Sequence, residues 1–352
     1  MRLLLTRLSS LGDIVHTWPL AEAIRRLPAP VELAWLVEER FRPLVERHPA
    51  VSRTVVVATH RWSRRLAAGT TWREIAGARR ALREFAPEIA LDPQGLYKSA
   101  GWARWAGAPR RIGFGWSLRR EPLAGLLYSE TLTPPSTVRH VVDINLALVG
   151  ALGGSPPWGA VPDGRFLLAG AAPPLEIGPG TVALLPATGG RGKAWPATSF
   201  AALARELVRR KTPVLVVWGP GEAALAHAIA DAGGAGVSLA PRTGLVELAA
   251  LLAACGAVVG GDTGPVHLAA SLGVPTVAIF LASDAGRNGP RGRVVRLLCG
   301  AEVGGPRSRA RRRQRRAIGV PEVLDALSGV LAVGEVAEAP APALTEGAHG
   351  GC

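Results

Sequence analysis

Three short stretches hold the side chains best suited to work on a phosphorylated ligand. The first is Ser9-Ser10-Leu11-Gly12-Asp13, after an apolar run at residues 2–8 that reads as a buried strand and before a helical pattern reaching residue 27. Ser9, Ser10 and Gly12 set hydroxyls and unhindered backbone at a helix N-terminus, where exposed N–H groups favour an anion. Asp13 has two readings there. A first-turn carboxylate caps the helix, and a carboxylate in a cleft can serve as a general base. The capping position lowers its pKa, which suits a reaction whose hydroxyl proton leaves late.

The second stretch is Asp262-Thr263-Gly264-Pro265-Val266-His267, after a strand candidate at 257–261. Thr263 and Gly264 can present N–H groups to phosphate at the start of the next helix, expected at 267–272 with His267 on its first turn. His267 can equally be a partly buried ring bonded to Asp262. Gly260-Gly261 is expected to let a ligand approach the backbone. The third stretch, residues 186–196, looks like a P-loop, but Ala194 follows Lys193 where Ser or Thr is required, which argues against an ATPase. Lys193 is either a solvated side chain or the cation that stabilises a departing diphosphate. Glu222, after Trp218-Gly219-Pro220-Gly221, either accepts from ribose hydroxyls or favours its helix start. No His/Cys/Asp/Glu group has metal-ligand spacing and no Gly-x-Ser-x-Gly elbow occurs, so no metal is expected.

These stretches need elements to place them. Strand patterns at 2–8, 31–37, 54–57 and 89–92, with a helix at 72–85, argue for a parallel sheet covered on both faces. Residues 153–180 are rich in Pro and Gly and mark a boundary. Alternation then restarts. Strands are expected at 182–185, 214–218, 257–261 and 276–280, and helices at 199–210, 222–232, 245–254 and 321–333. The expectation is an α/β protein with an N-terminal Rossmann-like domain at 1–170, a C-terminal one at 171–334, and a disordered tail at 335–352. In such sheets ligands bind beyond the carboxyl ends of the strands, where all three stretches fall.

With 48% hydrophobic and 19% charged residues, the chain is a folded rather than a disordered one. Its opening apolar run is too short for a signal peptide and no run is long enough to span a bilayer, so a cytoplasmic location is expected. Cys255, Cys299 and Cys352 are far apart and no structural disulfide is expected. The net charge is +14, and seven arginines in residues 307–316 account for half of it. That tract suits anionic lipid headgroups, or is simply a solvated loop. It lacks the interleaved aromatics of a nucleic-acid binder, and no nucleic acid is expected.

Taken in order, Ser9-Ser10-Leu11-Gly12-Asp13-Ile14-Val15-His16-Thr17-Trp18-Pro19, Val37-Glu38-Glu39, Arg61-Trp62, Asp92-Pro93-Gln94-Gly95-Leu96-Tyr97-Lys98-Ser99-Ala100, Arg120-Glu121-Pro122-Leu123-Ala124, Lys193-Ala194-Trp195-Pro196, Trp218-Gly219 and the Asp262–His267 stretch resemble the ADP-heptose:lipopolysaccharide heptosyltransferases, glycosyltransferase family 9. The likeness covers roughly residues 1–330 and is strongest to the heptosyltransferase I branch.

The resemblance implies a GT-B fold with an inter-domain cleft. It implies inverting transfer of L-glycero-D-manno-heptose from ADP-heptose to a Kdo sugar of Kdo-lipid A, at the inner face of the cytoplasmic membrane and without a cofactor. Asp13 would be the base. Lys193 and Thr188 would hold the phosphates, helped by Thr263 and Gly264, with Ser9, Ser10, Gly12 and His267 also lining the donor site. Glu222 would bind ribose and Asp262 the heptose hydroxyls. Arg61, Lys98 and Arg120 would hold the acidic acceptor. The alternatives are a family member adding a later heptose, or an epimerase or hydrolase of nucleotide sugars with the same fold. Three departures from the family pattern stand out: Gly189 replaces a Thr, Pro241-Arg242-Thr243 lacks an apolar residue for the base, and Ala282-Ser283-Asp284 replaces a Gly-Pro-Thr-type loop.

Overall fold

The structure is a computed structural model that describes residues 1–188, 193–300 and 316–338. The N-terminal half forms strands β1 (Arg2–Thr6), β2 (Glu32–Glu38), β3 (Arg53–Val57), β4 (Ile89–Asp92), β5 (Arg110–Phe114) and β6 (Glu130–Leu132). Between and after them lie α1 (Leu11–Val15), α2 (Trp18–Arg25), α3 (Thr59–Trp62), α4 (Gly69–Phe85), α5 (Tyr97–Trp105) and α6 (Val141–Leu146). The C-terminal half adds β7 (Val182–Leu185), β8 (Val214–Val216), β9 (Val237–Leu239), β10 (Ala257–Gly261), β11 (Thr276–Phe280) and β12 (Val295–Cys299). Its helices are α7 (Ala197–Arg209), α8 (Ala223–Gly233), α9 (Leu245–Ala253), α10 (Gly264–Ser271), α11 (Ala285–Asn288) and α12 (Val320–Glu338).

The two sheets are all parallel and share one winding. The first runs β3-β2-β1-β4-β5-β6 and the second β9-β8-β7-β10-β11-β12. In each, chain direction along the sheet reverses between the first strand and the fourth, and a crevice opens at that switch point. The switch points are therefore β1/β4 and β7/β10. The stretches singled out in the sequence are the loops after β1, β7 and β10.

Alternation along the strands explains the layers. Leu4 of β1 faces a cluster with Leu82 and Phe85 of α4 and Trp102 of α5. Leu3 and Leu5 face the other way, into a cluster with Ile14, Trp18 and Ile24. In the second sheet Val182 and Leu184 pack under α7 and α12. Ala183 and Leu185 point into the same cluster as Leu3 and Leu5. One apolar core is thus continuous from sheet to sheet, and the two halves meet through it.

Several boundaries differ from the sequence expectation. β1 stops at Thr6, and the helical run to residue 27 is two helices. Thr17 stands at the N-cap position of α2, its hydroxyl turned to Asp13 O, and Pro19 lies in the first turn, where the missing N–H costs nothing. α10 begins at Gly264 rather than 267. Strands β5, β6, β9 and β12 were not anticipated. The last three are edge or near-solvent strands with charged or small residues, as in the half-exposed β12, and so lack the continuous apolar signature of a central parallel strand. α12 runs to Glu338, into the stretch expected to be tail.

Candidate functional site

The loop after β1 is built from its neighbour strand. Asp92, at the end of β4, accepts from the backbone N–H groups of Gln94 (2.9 Å) and Gly95 (3.2 Å), from Ser99 Oγ (2.8 Å) and from the Tyr128 hydroxyl (2.7 Å). Burial pushes this carboxyl up against the bonds that favour its charge. Gln94, so fixed, accepts from Leu8 N at 2.9 Å and reaches Ser9 Oγ at 3.4 Å. Tyr128 also explains Gly113, where a Cβ would lie 2.3 Å from its ring. Asp92 and Gln94 were visible in the sequence only as part of a family pattern; their task is to hold the Ser9–Asp13 loop.

Asp13 is the third residue of α1. Its Oδ2 accepts from Ser10 N (3.1 Å) and Ser10 Oγ (2.8 Å), so Asp13 is not the N-cap, which is Ser10, but closes a capping box from the third helical position. Oδ1 has no hydrogen-bond partner among the described residues. Burial pushes the carboxyl up, but the charges of Arg7 and Arg120 and the two Ser10 bonds outweigh it and leave the pKa lowered. Arg7 is buried, with Nε donating to Thr17 Oγ1 at 3.2 Å. Sequence reasoning passed over it, and an Arg just after β1, six residues before a catalytic-type carboxylate, is a signal only once its burial is known.

Across the interface, Asp262 directly follows β10. Its Oδ2 accepts from Lys193 Nζ at 2.9 Å and from Ser283 Oγ at 2.6 Å, and His267 Nε2 lies 3.8 Å from Oδ1. That last distance is an electrostatic contact, too long for the hydrogen bond expected from the sequence. Burial pushes the Asp262 carboxyl up, yet His267, Ser283 and Lys193 together hold it well below the usual aspartate range. Lys193 is therefore neither free nor fully solvated. Ser283, noted in the sequence only as a departure, is an Asp262 partner. Thr188 Oγ1 is buried beside them without a partner among the described residues. Gly189 lies outside the described residues.

Gly12 and Gly264 have a different reason than close approach of a ligand. A Cβ on Gly12 would lie 2.8 Å from His267 Cδ2, and one on Gly264 would lie 2.7 Å from Leu11 Cβ. The starts of α1 and α10 thus interlock, which sets the two switch points against each other. Gly260 and Gly261 likewise make room for protein. Their Cβ positions are occupied by Val266 and Leu185, and by the Thr188 methyl. The expectation that they admit a ligand is corrected accordingly.

Beside this junction is a cavity of about 180 Å³ lined by Leu11, Trp218, Glu222, Thr243, Leu245, Leu248 and Thr263, among others. Its walls are apolar and its rim polar, the composition of a small-molecule site. Leu245, Leu248 and Val217 supply the apolar surface that Pro241-Arg242-Thr243 lacks. Glu222 points at its own loop, where Oε2 accepts from Gly219 N at 2.7 Å.

The halves are also joined by groups with no sequence signal. Arg291 ion-pairs with Asp143 through both guanidinium nitrogens. His140 Nε2 meets Gly289 O at 3.0 Å and Gly164 N donates to Ser271 O at 3.0 Å. His16 packs edge-on against His267 with ring centroids 4.5 Å apart. Burial, with His267, His140, Arg7 and Arg291 nearby, keeps His16 neutral far below its ordinary range, and burial lowers His140 to about 4.

The three expected acceptor residues are not equivalent. Arg120 is exposed and close enough to act on Asp13 and Arg7. Lys98 is exposed on the first turn of α5, on the carboxyl-end side of the first sheet. Arg61 is already paired with Glu39 (3.0 Å) and Glu74 (2.9 Å). The arginine tract at 307–316 lies outside the described residues except for Arg316, which ion-pairs with Glu322. Among the described residues, no group of His, Cys, Asp and Glu could hold a metal ion, and no helix is long and apolar enough to cross a membrane.

Two doubly wound domains whose switch-point loops confront each other define a GT-B glycosyltransferase architecture. Comparison with known proteins narrows the class. Residues 75–316 match the model of glycosyltransferase family 9 (heptosyltransferase). Lipopolysaccharide heptosyltransferase 1 of Pseudomonas aeruginosa is 34% identical, over 83% of this chain and 82% of its own. That of Escherichia coli K12 is 32% identical, over 86% and 94%. A solved structure of E. coli heptosyltransferase WaaC with ADP superposes with a TM-score of 0.79 at 27% identity, covering 94% of this chain and 100% of that one. The chain belongs to glycosyltransferase family 9, the heptosyltransferases.

Proposed function

We propose that this enzyme transfers L-glycero-D-manno-heptose from ADP-heptose to Kdo of Kdo-lipid A, with inversion at the anomeric carbon, in assembly of the lipopolysaccharide inner core. The observation that carries the reading is the pairing of two unlike carboxylates at facing switch points, Asp13 bonded only by Ser10 among the described residues and Asp262 ion-paired with Lys193. The similarity to heptosyltransferase 1 proteins supports the donor and acceptor.

In this reading the N-terminal domain, residues 1–170, takes the acceptor and the C-terminal domain, 171–334, the donor. The acceptor hydroxyl oxygen attacks the anomeric carbon while its proton passes to Asp13 Oδ1. The bond from that carbon to the β-phosphate oxygen breaks, and the electron pair leaves with ADP. Lys193 offsets the growing charge on the diphosphate, with Thr188 and the loop Thr263-Gly264 supplying donors. Such positive groups replace a metal, and none is required. Asp262 orients the sugar hydroxyls, and the cavity beside Glu222 receives the nucleoside. Ser9, Ser10 and Gly12 shape the junction, and His267 buttresses Asp262. Arg120 and Lys98 face an anionic acceptor, with Arg61 at its margin. The enzyme works at the inner face of the cytoplasmic membrane, where this acceptor is anchored.

The test is mass analysis of Kdo-lipid A incubated with ADP-heptose and the protein. One added heptose and release of ADP that requires both substrates are expected. ADP release without acceptor would replace this reading with hydrolysis. Addition only to an acceptor already bearing heptose would assign a later step.

A further inference from the structure

One face of the N-terminal domain is unlike the rest of its surface. Along α4, Thr71, Ala78, Leu82 and Phe85 are buried against the sheet. The adjacent stripe is Trp72, Ile75, Ala76, Arg79, Arg80 and Arg83, spaced i, i+3, i+4, i+7, i+8, i+11, which puts them on a single helical face. With Trp105 of α5 these residues line a surface groove of about 710 Å³. Trp72 is 58% exposed, Trp105 47% and nearby Leu66 56%. Arg83 Nε donates to Trp105 O at 3.3 Å, so the second tryptophan stands at the far end of the helix, about 16 Å along its axis from Trp72.

The charge on this face is one-sided. Arg73, Arg79, Arg80 and Arg104 are exposed and make no ion pair among the described residues. Glu84 is the acidic residue in the groove wall, and Glu74 is spent on Arg61 and on Trp62 Nε1 (2.6 Å). Exposed indoles among unpaired arginines match the boundary of an anionic bilayer, where the ring sits at headgroup depth and guanidinium groups meet phosphate. The placement fits as well. Trp72 Nε1 donates to Leu66 O at 2.9 Å and Glu74 holds Arg61, so the tryptophan end of the stripe abuts the margin of the acceptor site.

We propose that the α4–α5 face, with Trp72 and Trp105 as apolar anchors and Arg79, Arg80 and Arg83 as headgroup contacts, docks the enzyme on an anionic lipid bilayer. The proposal rests on the reading that the acceptor is lipid-anchored. It places the basic docking charge on the folded N-terminal domain rather than in the arginine tract at 307–316.

The test is flotation of the full chain with vesicles of phosphatidylcholine alone or mixed with phosphatidylglycerol. The wild-type chain is expected to float with the anionic vesicles. Arg79→Gln/Arg80→Gln/Arg83→Gln is expected to bind about 100-fold more weakly, from three lost headgroup contacts. Trp72→Ala/Trp105→Ala should weaken binding, and the triple Arg→Lys variant should restore it. All variants should transfer heptose to a delipidated Kdo acceptor as the wild type does, which also shows that they fold. The proposal is overturned if the triple Gln variant floats like the wild type, if anionic lipid makes no difference, or if the face instead mediates self-association that these substitutions abolish. A wild-type chain inactive on the delipidated acceptor would count against heptose transfer, while flotation would still decide the surface.

Discussion

The loops after β1 and β10 occupy equivalent switch points, and each presents an aspartate, but the two carboxylates are held in opposite ways. Asp13 spends one oxygen on Ser10 and keeps the other open. Asp262 carries a cation and a hydroxyl, Lys193 and Ser283, on one oxygen, with His267 3.8 Å from the other. Both are anionic at neutral pH, since both lie below the ordinary aspartate range. The difference is the charge of the bonded partner. Protonating Asp13 disturbs no directly bonded cation among the described residues, whereas protonating Asp262 discharges its ion pair with Lys193. An acid–base role and an anchoring role are thus separated by whether a cation is bonded to the carboxylate rather than by residue type.

The most direct way to break this contrast is to neutralise each carboxylate in turn. Asp13→Asn should lower kcat by about 10²–10⁴-fold, the range for loss of a general base, with donor KM unchanged. Asp262→Asn should act mainly on donor KM, by about tenfold, the scale of one charge-assisted bond. Equal kcat losses in steady-state kinetics would erase the distinction. The pH profile adds a sign. The folded pKa of Asp13 in the free enzyme is lowered, so the basic form survives as pH falls past the ordinary value of 3.8, and the acid limb of kcat/KM should lie below that value wherever the fold persists.

Lys193→Ala removes both a leaving-group cation and an Asp262 partner. It should cost about 10²-fold in kcat/KM, as for loss of a preorganised electrostatic donor. Adding exogenous alkylamine should recover part of the rate if charge is what was lost.

Gly12→Ala tests the junction that keeps the loops opposed. The new methyl meets His267 Cδ2 at 2.8 Å, and overpacking of that kind costs about 1–3 kcal/mol. A calorimetric Tm lowered by about 2–10 °C is expected, with kcat reduced because the switch points no longer close. An unchanged Tm would mean that the ring yields and the contact is not a constraint. The smallest effect belongs to Arg61→Ala. Glu39 and Glu74 already neutralise this exposed side chain, so acceptor KM should rise by at most about fivefold. A larger rise would move Arg61 from the margin of the acceptor site to its centre.

Much of this frame was legible in the sequence because it is encoded locally. Buried parallel strands such as Ile89–Asp92, Val182–Leu185, Ala257–Gly261 and Thr276–Phe280 are continuous apolar runs, and their ends announce the loops. Edge strands such as Glu130–Leu132 carry no such mark. The loop residues were recognisable by type: Asp13 after two serines, Lys193 among glycines, Asp262 before Thr-Gly-Pro. What could not be read was the purpose of the glycines, since Gly12, Gly260, Gly261 and Gly264 answer to side chains elsewhere in the chain.

The sequence by itself determined the alternation of strands and helices, the position of the chemical loops at strand ends, and the kinship carried by their order. These depend on hydrophobic period, turn chemistry and residue type, all short-range. Tertiary structure alone decided that Arg7 and Arg120 bear on Asp13, that Ser283 and Lys193 share one oxygen of Asp262, and that Arg291 finds Asp143. Apart from Arg7 and Asp13, which are near neighbours in sequence, such pairings join residues tens to more than a hundred positions apart. They form only when two separately wound sheets are brought to share one apolar core, and burial then fixes which charges feel each other.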